Sequence, residues 1–281
     1  MANILIMGCG DLGGATGQRL AEAGHTVWGL RRHPEHIPAP IHPLAGDFGI
    51  PDGLPSLPPN LDTVYFIATP GEFTDAAYRR AYVDGLRNTL GALERAGQRP
   101  RRVIFTSSTS VYGADDGRWI DETSPTEPTR FSGRRLCEAE ELLSRSPFPG
   151  VVVRFGGIYG PGREYHLRKV REGIRGQHEP PVWTNRIHRD DCVGLLVHLF
   201  GLGSPEPLYL GVDDAPALRH ELLAWLAQQM ELDPPGEPPT PPGEVCGKRC
   251  QNTRLHTSGY GLRYPDYRSG YRALLDHLAT T

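Results

Sequence analysis

The most constraining feature of this 281-residue chain is a glycine-rich run at residues 8–13, Gly-Cys-Gly-Asp-Leu-Gly. Directly before it, residues 2–7 form a short apolar segment that is typical of a buried strand. Directly after it, residues 12–23 are rich in Ala, Gly and Leu, which is typical of a closely packed helix. A strand, a glycine turn and a helix in this order predict the first unit of a parallel α/β sheet.

Each glycine of the turn has a separate physical reason to be there. Gly8 allows the tight turn, Gly10 lets the backbone approach a pyrophosphate, and Gly13 lets the helix pack closely on the strand. The start of the helix offers free N–H groups and the positive end of the helix dipole. We therefore predict a bound nicotinamide dinucleotide; the alternative is a glycine-rich turn without a ligand.

The end of the second strand, residues 26–30, bears on which dinucleotide is bound. Sites that prefer NAD usually carry an acidic residue there, which hydrogen-bonds the ribose 2′-hydroxyl. This chain has Arg31 and Arg32 instead, and guanidinium groups attract a 2′-phosphate and bind it with two parallel hydrogen bonds. The sequence predicts NADP, with NAD as the alternative; both arginines could also be solvated surface residues.

The alternation of strands and helices continues beyond this turn and predicts an α/β fold, a Rossmann-type doubly wound parallel sheet with a smaller C-terminal cap. A proline-rich run, residues 51–59, predicts an irregular connection in place of a helix. The further predicted elements are strands at residues 62–68, 102–107 and 151–154 and helices at residues 75–96 and 217–230.

Two regions are expected within the chain. Residues 1–155, with a returning segment at 184–213, are predicted to form the dinucleotide-binding domain. Residues 156–183 and 214–281 are predicted to form a small substrate or cap region, in which residues 233–243 read as a stiff, proline-rich exposed loop.

Composition excludes several classes of function. The net charge of −3 gives no electrostatic reason to bind nucleic acid or an anionic membrane surface, and no apolar stretch approaches the roughly 20 residues of a membrane span. Five cysteines without a secretory signal or zinc-like spacing predict free thiols in a reducing cytoplasm and no metal site. We expect a cytoplasmic protein with a small-molecule substrate, as a monomer or a homodimer.

Several later motifs agree with one family in their order along the chain. They are Ser-Ser-Thr-Ser-Val-Tyr-Gly at 107–113, Asp-Glu-Thr-Ser-Pro at 121–125, Arg-Phe-Gly-Gly-Ile-Tyr-Gly-Pro-Gly at 154–162, Ile-His-Arg-Asp-Asp at 187–191 and Tyr-Leu-Gly-Val-Asp-Asp at 209–214. Together they resemble the extended short-chain dehydrogenase/reductases of the NAD-dependent epimerase/dehydratase family. The segment after residue 247 resembles an atypical, YeeZ-like branch of that family.

This resemblance implies catalysis by a Ser together with a Tyr and a Lys that lie four residues apart. Ser108 matches the Ser. In one register Ser132 and Leu136 take the Tyr and Lys positions, and in the other Phe131 and Arg135 do. Neither register supplies a phenol or an amine, so Ser108, Ser132 and Arg135 are the candidate catalytic residues.

The remaining candidate residues follow from the doubly wound plan and from the resemblance. Asp47 would meet the adenine amine, and small residues at the end of the fourth strand would let the adenosine pass; ordinary turn residues are the alternative. The predicted cofactor contacts are Gly8, Gly10, Asp11, Leu12, Gly13, Arg31, Arg32, Asp47, Ala68, Thr69, Pro70 and Ile158. The predicted substrate-pocket residues are Ser110, Tyr159 and His188.

Two of these pocket residues have a second interpretation. Tyr159 shapes the pocket in the resembling family and is a weaker candidate for the proton donor, and His188 could instead fix a loop by hydrogen bonding. Two functions follow from the sequence. One is an NADP-dependent oxidoreductase or epimerase/dehydratase acting on a small polar substrate, and the alternative is a catalytically inactive NADP(H)-binding sensor or regulatory module.

Overall fold

Short apolar segments form strands and amphipathic segments form helices in the computed structural model, which describes residues 1–173, 180–233 and 245–280. The strands are β1 Asn3–Met7, β2 Thr26–Arg31, β3 His42–Ala45, β4 Thr63–Phe66, β5 Arg102–Ser108, β6 Trp119–Ile120, β7 Gly150–Phe155, β8 Gly157–Tyr159, β9 Val182–Thr184, β10 Arg186–His188, β11 Leu208–Gly211, β12 Ala217–Leu218, β13 Cys246–Gly247 and β14 Arg249–Cys250. The helices are α1 Asp11–Glu22, α2 Asp75–Tyr78, α3 Gly85–Arg95, α4 Phe131–Ser144, α5 Tyr165–Arg171, α6 Arg189–Gly201, α7 Arg219–Gln229, α8 Thr253–Thr257 and α9 Tyr267–Thr280.

The main sheet has seven parallel strands in the order β3-β2-β1-β4-β5-β7-β11. Its central strands are apolar and fully buried, as expected for strands that helices cover on both faces. The strand order reverses between β1 and β4, and in open α/β sheets such a reversal leaves a crevice at the carboxyl ends of the strands. The predicted Rossmann-type parallel sheet is therefore confirmed.

The predicted helix at 75–96 is wrong in one respect, because the structure interrupts it. α2 ends at Tyr78, a π-helical turn follows at Arg79–Asp84, and α3 begins at Gly85. A Cβ added at Gly85 would lie 2.6 Å from the ring of Phe48, so this close approach depends on a residue far away in the chain. Sequence periodicity carries no signal for such a contact.

The other predicted elements agree more closely with the structure. The proline-rich run at 51–59 contains no helix or strand, as predicted. The helix predicted at 217–230 is α7, which begins at Arg219 because Ala217 and Leu218 pair with β9 as a short strand. Residues 234–243 of the predicted proline-rich loop lie outside the described residues.

The chain divides into two compact units. The first contains residues 1–112, 126–154 and 193–209, and the second contains residues 113–125, 155–192 and 210–281. The second unit has its own apolar core, formed by Tyr159, Leu167, Val170, Ala217, Leu222, Leu223, Leu226, Ala227, Tyr267, Tyr271 and Leu274. The division of roles between a cofactor domain and a substrate cap stays a prediction.

Three structural facts bear on the composition argument. The five cysteines are free thiols. Among the described residues, no cluster of three or more His, Cys, Asp or Glu side chains is arranged to hold a metal ion. None of the helices in the described ranges combines the length and the apolar character that a membrane span requires.

Candidate functional site

The glycine turn after β1 has the geometry that its spacing predicts. Gly8 has a φ of +90°, which favours glycine, and a Cβ there would lie 2.2 Å from the carbonyl oxygen of Ile67. A Cβ at Gly13 would lie 2.5 Å from the carbonyl oxygen of Gly8. A Cβ at Gly10 would meet nothing within 4 Å. The turn is therefore tight at its first and last glycines and open at the middle one.

The start of α1 faces the same open space. Its N-cap residue is Gly10, and no side chain of the described residues caps it by a hydrogen bond. The first turn of a helix leaves N–H groups without intrahelical partners, and together with the helix dipole they favour an anion. A pyrophosphate fits this position, because the residue that would obstruct it has no side chain.

A cavity of about 670 Å³ opens from this turn across the first unit. It is lined by the segments that follow β1, β2, β3 and β4, which is where ligands lie in doubly wound sheets. Of the predicted cofactor contacts, six line it: Gly8, Gly10, Arg31, Arg32, Asp47 and Thr69. Asp11, Leu12, Gly13, Ala68 and Pro70 belong to the same segments but are not among its lining residues.

Charged groups gather at the β2 and β3 side of this cavity. Arg31 donates from Nη1 to the carbonyl oxygen of His36 at 3.3 Å, whereas Arg32 is exposed. Asp47 accepts a hydrogen bond from the Gly49 N–H at 2.9 Å and forms an ion pair with Arg80 at 2.7 Å. The Asp47 carboxylate thus already has partners within the chain, and its predicted contact with an adenine amine stays a prediction.

Arg80 is a cavity residue that sequence reasoning missed. It lies in the π-helical turn between α2 and α3 and adds a third guanidinium group to those of Arg31 and Arg32. His33, directly after the two predicted arginines, also lines the cavity. Adjacency to Arg32 was a usable signal for His33. No sequence signal marked Arg80, because its position depends on the interruption of the predicted helix.

Ser108 lies at the carboxyl end of β5, and its side chain is partly exposed. Its Oγ accepts a hydrogen bond from the Ser110 N–H at 3.2 Å and so caps the short 3-10 turn that follows. An oxygen that accepts in this way keeps its own O–H proton available for another acceptor. Ser110 itself is exposed, and its carbonyl oxygen would lie 2.3 Å from a Cβ at Gly133.

The two possible registers of the catalytic pair on α4 differ in how deeply their side chains are buried. Ser132 and Leu136 are buried, with 6% and 2% of their surface exposed. Phe131 and Arg135 are only partly buried, and the Phe131 ring packs at 5.0 Å from that of Phe73. The side chains of the first register therefore belong to the interior, and those of the second lie towards the surface of the unit.

Arg135 is held by two carboxylates. Its Nε and Nη2 donate to Asp75 at 2.8 Å each, and its Nη1 donates to Glu138 at 2.9 Å. These hydrogen bonds raise the pKa of Arg135 above its ordinary value. Arg135 therefore has no proton to release near neutral pH and cannot replace the ammonium group of a Lys in acid–base chemistry.

A buried network lies beneath β5 and α4. Glu140 accepts hydrogen bonds from the Ser107 hydroxyl at 2.6 Å and from Arg154 at 3.0 and 2.5 Å. Arg154 in turn donates to the Tyr112 hydroxyl at 2.7 Å. Each of these side chains hydrogen-bonds another polar side chain in the interior, so the network stabilises the fold. The neighbouring Ser108 has a hydroxyl that can donate to a ligand.

In the second unit, His188 is buried and serves its own loop. Its Nδ1 accepts the Asp190 N–H at 3.1 Å, and its ring packs at 4.1 Å from that of Tyr264. Burial lowers its pKa below the ordinary value, so it is neutral at pH 7. Asp191 accepts backbone N–H groups of Arg263 and Tyr264 at 2.7 and 2.9 Å. These contacts match the loop-fixing interpretation of His188.

A separate cavity of about 570 Å³ lies within the second unit. Tyr159, a predicted pocket residue, lines it and stacks on Tyr271 at 4.3 Å between ring centroids. Burial raises the pKa of Tyr159 above its ordinary value, which disfavours it as an acid–base group. Ile158, predicted as a cofactor contact, also lines this cavity, whereas His188 does not.

The second cavity contains several residues that sequence reasoning did not select. Basic and aromatic side chains dominate its lining: Arg163, Tyr165, His166, Lys169, Arg186, Arg219 and Tyr271. Arg186 directly precedes the Ile-His motif at 187–188, so position in the sequence was a usable signal for it. Tyr271 lies in α9, beyond the recognised motifs, and no sequence pattern connects it with β8.

Comparison with known proteins adds the following. Residues 4–214 match the NAD dependent epimerase/dehydratase family. Protein YeeZ of Escherichia coli K12 is 32% identical over 172 residues, which cover 59% of this chain and 59% of YeeZ. The matched region thus spans less than two thirds of that relative.

Two solved structures extend this comparison. One from Methylobacillus flagellatus, described as an NAD-dependent epimerase/dehydratase, is 39% identical with a TM-score of 0.83 and covers 99% of both chains. The human epimerase family protein SDR39U1, solved with NADPH, is 21% identical with a TM-score of 0.75, covers 98% of this chain and 99% of its own, and has the same fold.

Proposed function

The chain belongs to the NAD-dependent epimerase/dehydratase family, and we propose that it is an NADP-dependent oxidoreductase or epimerase/dehydratase acting on a small polar substrate. One observation carries the proposal: the glycine turn leaves open space at Gly10, directly beside a cavity that Arg31 and Arg32 line. The turn would hold the pyrophosphate, and the nucleotide would supply hydride transfer when bound.

The preference for NADP rests on charge. A 2′-phosphate placed beyond β2 would meet Arg31 and Arg32, with His33 next to them. No carboxylate occupies the end of β2, where NAD-preferring sites carry one. Structures of this fold hold either NAD or NADPH, so the fold alone does not choose between them. The two guanidinium groups are what favour NADP here.

Parallel titration of NADPH and NADH tests this preference. We expect wild-type protein to bind NADPH at least about tenfold more tightly, and Arg32→Gln to lose most of that advantage, because a charge-assisted contact to the phosphate disappears. Arg95→Gln removes the same charge from an exposed position on α3 and should change neither affinity. Equal affinities, or tighter NADH binding, in the wild type would contradict the preference.

The catalytic part of the proposal centres on Ser108. Its hydroxyl would donate to a substrate oxygen, since its Oγ already accepts the Ser110 N–H. α4 contains no Tyr and no Lys, and Arg135 cannot release a proton. The proton of the reaction therefore has to come from a group other than the Tyr that the family uses.

A screen of carbonyl compounds and nucleotide sugars, with NADPH oxidation followed by absorbance, tests catalysis. We expect turnover of at least one substrate and a loss of about 10²-fold or more in Ser108→Ala, because an oriented donor to the reacting oxygen is removed. Ser144→Ala, at the exposed end of α4, is the matched control and should keep full activity.

A second candidate function is a sensor that binds NADP(H) without chemistry. The observation that favours it is the composition of α4, which lacks both the phenol and the amine. Tight NADPH binding with no turnover in the screen would favour this candidate. Turnover that depends on Ser108 would exclude it.

A further inference from the structure

The cavity of the first unit holds a carboxylate close to the place proposed for the 2′-phosphate. β2 and β3 are parallel neighbours with Arg31 opposite Ala45, and the Gly46 N–H donates to the carbonyl oxygen of Arg31 at 3.3 Å. Asp47 is the next residue and lines the same cavity as Arg31 and Arg32. Because neighbouring strands lie about 4.8 Å apart, a phosphate at the end of β2 would lie within a Debye length, about 10 Å, of this carboxylate.

An uncompensated carboxylate at this place would act against NADP. A phosphate monoester carries a charge of about −1.5 to −2 near neutral pH, and like charges at this separation repel each other. Glu72, the other acidic residue in the described lining, follows β4, which β1 separates from β2 in the sheet. Asp47 is therefore the carboxylate of this lining that bears most directly on a 2′-phosphate.

Arg80 pairs with this carboxylate from the π-helical turn between α2 and α3. Its Nη2 lies 2.7 Å from Oδ2 of Asp47, and the Gly49 N–H donates to Oδ1 of Asp47 at 2.9 Å. Both carboxylate oxygens thus have a donor. The Asp47 side chain is only 20% exposed, so water screens this pair less than it screens a fully exposed one.

The fold holds both partners of this ion pair in place. A Cβ at Gly49 would lie 2.9 Å from Cγ of Arg80, so the Arg80 side chain lies directly against the Gly49 backbone. Asn88 of α3 donates to the carbonyl oxygen of Phe48 at 2.8 Å and so fixes the residue that follows Asp47. π-helical turns are rare and frequently occur at functional sites, and this one brings Arg80 to the cavity.

We propose that Arg80 is a determinant of the preference for NADP, because it neutralises Asp47 and so lets a 2′-phosphate bind at the end of β2 without repulsion. Arg80 acts through Asp47 in this account and is a positioning residue. The proposal deepens the proposed function, on which it rests for the bound dinucleotide. Asp47 can still accept the adenine amine, since each of its oxygens has a second lone pair.

Calorimetric titration of NADPH and NADH into Arg80→Gln tests the proposal. We expect NADPH binding to weaken by about fivefold, because the unpaired Asp47 then repels the 2′-phosphate, and NADH binding to stay within about twofold. Arg79→Gln is the matched control. It removes the same charge from the same turn, where Arg79 pairs with Asp84 at 3.8 Å and is not among the described lining residues, so both affinities should stay within about twofold. Equal weakening of both dinucleotides in Arg80→Gln, or a change in neither, would overturn the proposal.

A second variant separates neutralisation of Asp47 from direct contact with the phosphate. Asp47→Asn removes the negative charge but keeps an oxygen for the Gly49 N–H. In that background Arg80→Gln should change the ratio of NADPH to NADH affinity by less than about twofold, because no carboxylate is left to neutralise. A loss of about fivefold in this background as well would mean that Arg80 contacts the phosphate itself, and would overturn the proposal.

The same titrations distinguish this inference from the proposed function. Tighter binding of NADH than of NADPH by the wild type would contradict the proposed preference for NADP, whereas a ratio of NADPH to NADH affinity that falls about fivefold in Arg80→Gln would still support the inference. A wild type that prefers NADPH, with the same ratio in Arg80→Gln, would overturn the inference alone. No heat of binding with either dinucleotide would remove both.

Discussion

Single residues carry most of the chemistry in this chain, and the glycine turn is the clearest case. A side chain is excluded at Gly8 and Gly13 by backbone atoms 2.2 and 2.5 Å from the Cβ position, yet it is sterically allowed at Gly10. Packing therefore accounts for two of the glycines. The third has no structural reason to be glycine, and a ligand that approaches the backbone supplies one.

The buried carboxyl of Asp213 should make the free energy of unfolding depend on pH. Burial raises its pKa from the model-compound value of 3.8 to about 8, so the folded chain holds a proton there that the unfolded chain releases. The free energy of unfolding should therefore fall as pH rises from 4 to 8, by at most about 1.4 kcal/mol per pH unit from this group.

Asp213→Asn should remove this contribution, because Asn has no proton to lose and keeps an oxygen for the Ala215 N–H. Urea denaturation at pH 4 and at pH 8 measures it: the variant should gain stability relative to the wild type as pH rises. Asp276→Asn, on an exposed part of α9, is the control and should show no such trend. A constant difference between Asp213→Asn and the wild type across this range would contradict the pKa assigned to Asp213.

A residue's role could be predicted from the sequence where it depends on neighbours within a few residues along the chain. Gly8, Gly10 and Gly13 act within one turn, so their spacing was enough to predict the geometry. Arg80 and Tyr271 reach their cavities through neighbours that are distant in sequence, and no local pattern marks them. The same reason explains why the ion pair of Asp47 with Arg80 could not be predicted, although Asp47 itself lines the cavity.

Among the elements, α4 decides whether the family's usual chemistry is possible. The register that places Ser132 and Leu136 at the Tyr and Lys positions points both side chains into the interior. The register with Phe131 and Arg135 leaves both side chains partly buried, with Arg135 held by Asp75 and Glu138. In both registers α4 lacks the phenol and the amine of the family's catalytic pair.

The inner face of α4 supports a prediction about stability. The Glu140 side chain is 12% exposed and accepts hydrogen bonds from Ser107 and Arg154, whereas Glu141, the next residue, is exposed and pairs with Arg145 at 2.5 Å. Glu140→Gln leaves the Arg154 charge unpaired and should lower the free energy of unfolding by about 3–5 kcal/mol. Glu141→Gln should cost less than about 1 kcal/mol.

Urea denaturation of the two variants provides the measurement, and each serves as the other's reference. They change the same side chain by the same atoms, one residue apart on one helix. Similar midpoints for both would mean that the network around Arg154 does not stabilise the fold.

For the molecule as a whole, the alternation of strands and helices predicted the doubly wound parallel sheet, because each strand and helix has its own periodicity. The family motifs singled out the segment at 187–191, which contains the predicted pocket residue His188. The second unit was least predictable. Its cavity joins α5, β9, α7 and α9, and the contacts between these elements depend on tertiary packing that no short motif records.

Calorimetric titration of NADPH into the wild type and into Gly10→Ala tests most directly whether bare backbone at this turn holds the dinucleotide. A methyl group at residue 10 meets no protein atom within 4 Å, so the variant should fold with unchanged stability. It should bind NADPH at least about tenfold more weakly, because the methyl group occupies the space of the pyrophosphate. Gly203→Ala, which also meets nothing within 4 Å, is the control and should bind normally. Wild-type affinity in Gly10→Ala, or no heat of binding in the wild type, would contradict the account.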